Sequence, residues 1–230
     1  MKTVGIILFL LTAMLISTAA YAQYQQSVFG TGPGELGLGP LINGVDFSGA
    51  WYPGRHQDAG LGTAAGELVN YGGIPMNEAS MIYALSWPAN RQTVKQQQCM
   101  GYVPPYFWYA PGNYRIWEDR DQETQRLVAY RFYGQIAQGD RWAYMDGRPR
   151  PPAYAPHTFV GYTTGKYEGH ILTTTTTHIK RGFIRSTGVT QSDDAKVVEH
   201  YIRHGDRITI FAVTTDPVML TEPFSKTSVM

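Results

Sequence analysis

From Asn113 onward the sequence is a succession of short strand-like segments, and their spacing leaves few folds open. The segments are 114–118, 126–133, 141–145, 159–167, 170–180, 196–204, 207–214 and a last one at 218–224. Turn dipeptides separate them: Gly139-Asp140, Asp146-Gly147, Glu168-Gly169, Gly205-Asp206 and Asp216-Pro217. Short connections between consecutive strands predict hairpins and an antiparallel meander. Eight or nine such strands close into a barrel or fold into a sandwich, because an open sheet leaves unpaired edges. The barrel is the preferred reading.

The N-terminal half reads differently. Residues 46–52 form the first compact element, with Gly49 before Ala50-Trp51. Residues 56–74 are loop-like and rich in glycine. Asn77 is suited to cap a helix starting at Glu78, with Met81, Ile82 and Leu85 at helical spacing. Pro88 interrupts it, and a second helical stretch is expected over 90–98. Residues 99–112 place Tyr102, Tyr106, Phe107, Trp108 and Tyr109 among prolines, an irregular aromatic segment suited to capping something apolar. The fold class expected is therefore all-β, mainly antiparallel, with a short helical insertion after the first strand. The domain is expected over 46–224, and residues 225–230 read as a C-terminal tail.

Residues 1–22 read as a cleavable secretory signal. Lys2 supplies the positive end, residues 4–16 are almost wholly apolar, and Ala20-Tyr21-Ala22 fits the small-x-small cleavage pattern. A spanning helix needs about 20 apolar residues, and this run is shorter. A secreted or periplasmic protein is expected, without a membrane span once the signal is removed. Residues 23–45, rich in glycine and proline, read as a flexible lead-in. Without Lys2 the basic and acidic side chains balance at 18 each, which gives no reason to expect a nucleic-acid partner. Cys99 is the single cysteine, so no disulfide can close within the chain and the fold must rest on its core. Composition leaves the oligomeric state open.

The residues with chemical potential lie between His170 and Asp206. His200 and His204 have the i, i+4 spacing of a metal pair on a helix. On a strand they stand about 13 Å apart, too far for one ion with bonds near 2 Å. His178 with His200 on a neighbouring strand, and Asp193 or Glu199 as a third ligand, is the one remaining metal reading; it is not adopted. The acid–base reading takes His178 and His200 as candidate catalytic groups and Asp193 or Glu199 as the carboxylate that orients an imidazole. Arg185 could hold an anionic group bidentately. Ordinary surface ion pairs and a hydrogen-bonded core histidine are the alternative. No nucleophile elbow, phosphate loop or dinucleotide fingerprint occurs, and no cofactor is expected.

Several further motifs stand together: Asp46-Phe47-Ser48-Gly49-Ala50-Trp51, Arg115-Ile116-Trp117-Glu118, Asp146-Gly147-Arg148-Pro149, residues 161–169, Glu199-His200 and Arg203-His204-Gly205-Asp206. Across most of the chain this pattern resembles a family of secreted bacterial proteins of unassigned activity. The Gly-x-Trp start is also similar to that of lipocalins and other calycin-like barrels, where a Trp on the first strand packs across the closed end. That resemblance implies a barrel holding a small, partly apolar molecule. The lining expected is Trp51, Trp108, Trp117 and Tyr201, with His178, His200 and Arg185 at the polar end. A cofactor-free isomerase or lyase built on a His–carboxylate pair is the competing expectation.

Overall fold

Strand β9, Lys196–His204, shows how these residues build the sheet. Val197, Glu199 and Tyr201 are fully buried, while Val198, His200 and Ile202 between them are half-buried. Successive side chains of a strand point to opposite faces, so β9 has one inner and one outer face. Its partner β10, Arg207–Thr215, repeats the alternation with Ile208, Ile210 and Ala212 inward. The two-residue loop Gly205-Asp206 joins them. Gly205 has φ +60°, a conformation glycine adopts without a Cβ clash.

The computed structural model describes residues 45–54, 71–87, 100–102, 104, 106–110, 112–135, 139–185 and 187–230. One compact unit runs Phe47–Met230. The expected signal at 1–22, nearly all of the lead-in, the helix at 90–98 and Cys99 lie outside the described residues. Besides β9 and β10 the strands are β1 Gly49–Trp51, β2 Tyr114–Arg120, β3 Leu127–Gly134, β4 Asp140–Tyr144, β5 Tyr162–Glu168, β6 Ile171–Thr177, β7 Gly182–Arg185, β8 Val189–Gln191 and β11 Phe224–Val229. Helix α1 spans Glu78–Leu85, and Asn77 caps it by accepting the Ser80 amide at 2.9 Å. A 3-10 turn spans Tyr106–Tyr109. No helix among the described residues is long and apolar enough to cross a membrane.

Nine strands form one sheet in the order β1-β2-β3-β4-β5-β6-β9-β10-β11, curled into a half-barrel. Seven of its eight pairings are antiparallel. β1 and β11 are its edges, and Gly54, just past β1, donates its amide to the Val229 carbonyl at 2.6 Å.

The expected meander needs three corrections. β4 and β5 pair in parallel, because the 17 residues between them cross over instead of turning back. β6 pairs with β9, and the segment between folds into its own hairpin, β7–β8. The last strand is not at 218–224: Asp216 accepts the amides of Val218 and Met219 and winds that stretch into a turn. Residues 225–230 were expected as a tail; instead Phe224–Val229 form β11, paired with β10 from Thr209 to Thr214.

The concave face is packed with rings. Phe132 and Tyr201 stack at 5.4 Å, and Trp108 of the 3-10 turn meets both edge-on at 5.4 and 5.8 Å. Phe107, Trp108, Tyr114 and Phe132 are each at most 2% exposed. A second cluster, Trp87, Tyr106, Tyr109 and Phe183, joins α1 and the 3-10 turn to the β7–β8 hairpin.

Candidate functional site

Two polar arrangements stand out, one inside the half-barrel and one on its outer face. The inner one centres on Glu199. The alternation of β9 turns its carboxylate into the interior, and Arg141 reaches it from β4. Arg141 donates through Nη2 to Oε2 at 2.6 Å and through Nη1 to Oε1 at 3.2 Å. Trp108 Nε1 donates to Oε1 at 2.9 Å, and the Thr174 and Tyr201 hydroxyls donate to Oε2 at 3.2 Å each. Both charged side chains are fully buried. Burial works to lower the basicity of Arg141, but the Glu199 charge beside it wins and raises its pKa. The Tyr201 phenol is pushed up by burial and by the same carboxylate.

This geometry revises the expected site. Glu199 accepts five hydrogen bonds, which leaves no acceptor position for an imidazole or a substrate. Trp108 and Tyr201 fill the half-barrel interior by packing on each other. His200 points outward, where its Nδ1 meets Thr173 Oγ1 at 3.0 Å and its ring stacks on Phe211. The faces of β9 divide as the alternation predicts. The inner face is the one with the charge, because Arg141 compensates Glu199.

His178 lies past the end of β6 with φ +55°. There its Nε2 donates to the Pro152 carbonyl at 3.0 Å and its ring packs edge-on against His157. Thr173 is opposite His200 in the ladder, so five residues of strand put His178 on the order of 15 Å from it. The two histidines do not share a cavity. Asp193 is exposed and accepts the Arg181 amide. Trp51 is buried, donates Nε1 to the Phe47 carbonyl and lies under the Arg203 guanidinium. Arg185 is buried in β7. No group of three His, Cys, Asp or Glu is placed to hold a metal ion among the described residues.

Trp117, expected inside, belongs to the outer arrangement. It lies opposite Arg131 of β3, which in turn lies opposite Trp142 of β4. The Arg131 guanidinium sits 4.8 Å from the Trp117 ring and 4.3 Å from the Trp142 ring, held between them. Arg115 covers Trp117 at 5.4 Å. Trp142 continues to Tyr144 and Tyr144 to Tyr162, and Arg148 lies 3.9 Å over Tyr144. Asp140 pairs with Arg131 and Asp146 with Arg148. The Asp140 hydrogen bond raises the Arg131 pKa, and the Arg148 guanidinium holds the Asp146 carboxyl below its ordinary range. The result is a strip of planar cations and rings across four strands, half-buried in its middle. Sequence reasoning missed Arg131, Trp142 and Arg141. The usable signal was parity: Trp117, Arg131 and Trp142 occupy like-facing positions on consecutive strands. No family model, curated protein or solved structure matches the chain.

Proposed function

We propose that this chain is a binding protein of the extracytoplasmic space whose ligand surface is the outer arginine–aromatic strip of β2–β5. The observation that carries this reading is Arg131 clamped between Trp117 and Trp142. Stacking fixes the guanidinium plane before any ligand arrives, so little side-chain entropy remains to be lost on binding. Arginine and tryptophan are also the residues that most often dominate binding energy at surfaces. The interior offers less to a ligand, since Trp108, Phe132 and Tyr201 occupy it. The acid–base alternative loses its expected pairing, because Glu199 is saturated and His178 and His200 are apart; the carboxylate nearest to His200 is that of exposed Glu168, which reaches it only through the Thr173 hydroxyl.

The test is native mass spectrometry of purified protein exposed to extracts of the producing cell's envelope, with wild type and Trp142→Ala compared. A ligand retained by wild type and lost by Trp142→Ala, with an unchanged circular dichroism spectrum, is the expected result. A molecule retained equally by both would place the binding site elsewhere.

A further inference from the structure

Building on that reading, we propose that the strip takes an extended carboxylated polysaccharide, a polyuronate. Three features of the surface select this class. The first is shape. Arg115 on β2 and Arg150, which donates to Thr164 of β5 at 3.4 Å, mark the ends of a diagonal roughly 20 Å long, from the strand spacing and rise. This is an open sheet face, suited to an extended chain and not to an enclosed small molecule.

The second feature is where the charge is free. Arg131 and Arg148 are neutralised by Asp140 and Asp146, and Asp119 also acts on Arg131. Arg115 and Arg150 are exposed and form no ion pair among the described residues. Two spaced guanidiniums suit carboxylates that recur along a polymer, each able to accept a bidentate pair. The third feature is the filling between those ends. Trp117, Trp142, Tyr144 and Tyr162 give an apolar surface with polar tips, which matches sugar rings that carry C–H faces between their carboxylates. A single-stranded nucleic acid also carries one charge per repeat, and comparison with an oligonucleotide separates it from a polyuronate.

The experiment is affinity electrophoresis of the wild-type chain in gels holding polygalacturonate, its fully methyl-esterified form, or a dT20 oligonucleotide. Retardation by polygalacturonate, its loss on methyl esterification and a tenfold or greater weakening in Arg115→Gln/Arg150→Gln are expected. Both positions are exposed, so the thermal transition of the double variant should match wild type. Equal retardation by the methyl ester removes the charge argument and overturns the proposal. Tighter retention by dT20 that depends on the same arginines gives the surface to nucleic acid instead. If polygalacturonate does not bind but an envelope ligand is lost in Trp142→Ala, the polyuronate assignment fails and the binding surface stands. If neither variant changes any retention, both fail.

Discussion

Glu199 and Arg141 are the residues on which the interior turns, and their value to the fold is that of a pair. Desolvating either charge alone is expensive, and the attraction between them only offsets that expense. Glu199→Gln should therefore destabilise the protein by about 3–5 kcal/mol in urea denaturation, by leaving Arg141 buried and uncompensated. The double variant Arg141→Met/Glu199→Leu should recover most of that loss, since it removes both charges while keeping volume. A double variant as unstable as the single one would mean that the Trp108, Thr174 and Tyr201 bonds carry the stability. A second expectation concerns Asp146, held low mainly by its hydrogen bond from Arg148. A depressed folded pKa gives stability that is present above the unfolded value, near 3.9, and lost as pH falls through the folded value. The Asp146 carboxyl resonance should titrate below that of a free aspartate, and Arg148→Gln should move it back up. Little of this was legible beforehand. Glu199 could be assigned to a strand face from alternation, but its partner lies 58 residues away. Without Arg141 in view, Val198 and Ile202 looked like the better interior, and His200 came with them.

At the scale of elements, legibility followed length and pattern. β9 was read with its observed ends because nine alternating residues leave one register. α1 was read because Asn77 and Glu78 are start signals that need no tertiary context. β7 and β8 were missed. They are four and three residues long and buried on both faces, so neither alternation nor length distinguishes them from loop. β11 was read as tail because its inward residues, Lys226 and Ser228, are polar. Lys226 reaches the interior by laying its ammonium 3.8 Å over the Tyr109 ring. The parallel entry into β5 depends on Gly161. Its φ is +69°, and a Cβ there would stand 2.7 Å from Thr176 Cγ2 and 2.8 Å from the Thr177 carbonyl oxygen. Gly161→Ala should cost roughly 1–2 kcal/mol from the left-handed backbone alone, with the clash in addition. Thr158 and Ile179 form an isolated parallel bridge beside Gly161, and hydrogen exchange should then accelerate in β5 and in that bridge before it does in β9–β10. Uniform acceleration across the sheet would show that the crossover is not a separate unit of stability.

For the whole molecule, the question is what holds a curled open sheet shut over its aromatic filling. The C-terminal strand does much of it. β11 pairs with β10 from Thr209 to Thr214, and beyond it Ile208 and Met230 exchange both backbone hydrogen bonds. Ser228 Oγ donates to the Trp108 carbonyl, Lys226 covers Tyr109, and Val229 receives the Gly54 amide. One strand thus ties the sheet edge, the 3-10 turn and the far edge together. A chain ending at Pro223 removes all of these contacts and leaves β10 as a bare edge whose inner face holds Ile208, Ile210 and Ala212. Exposed apolar edges recruit other chains. The truncated protein should bind a hydrophobic dye such as anilinonaphthalene sulfonate, lose near-ultraviolet dichroism from the Trp108 cluster and elute as higher-order species in gel filtration. Its far-ultraviolet spectrum should keep most of its β signal, because eight of the nine strands remain paired in sequence. If the truncated chain stays monomeric with wild-type near-ultraviolet dichroism, residues 224–230 are a tail in energetic terms. The filling of the half-barrel would then be held by Glu199 and its donors alone.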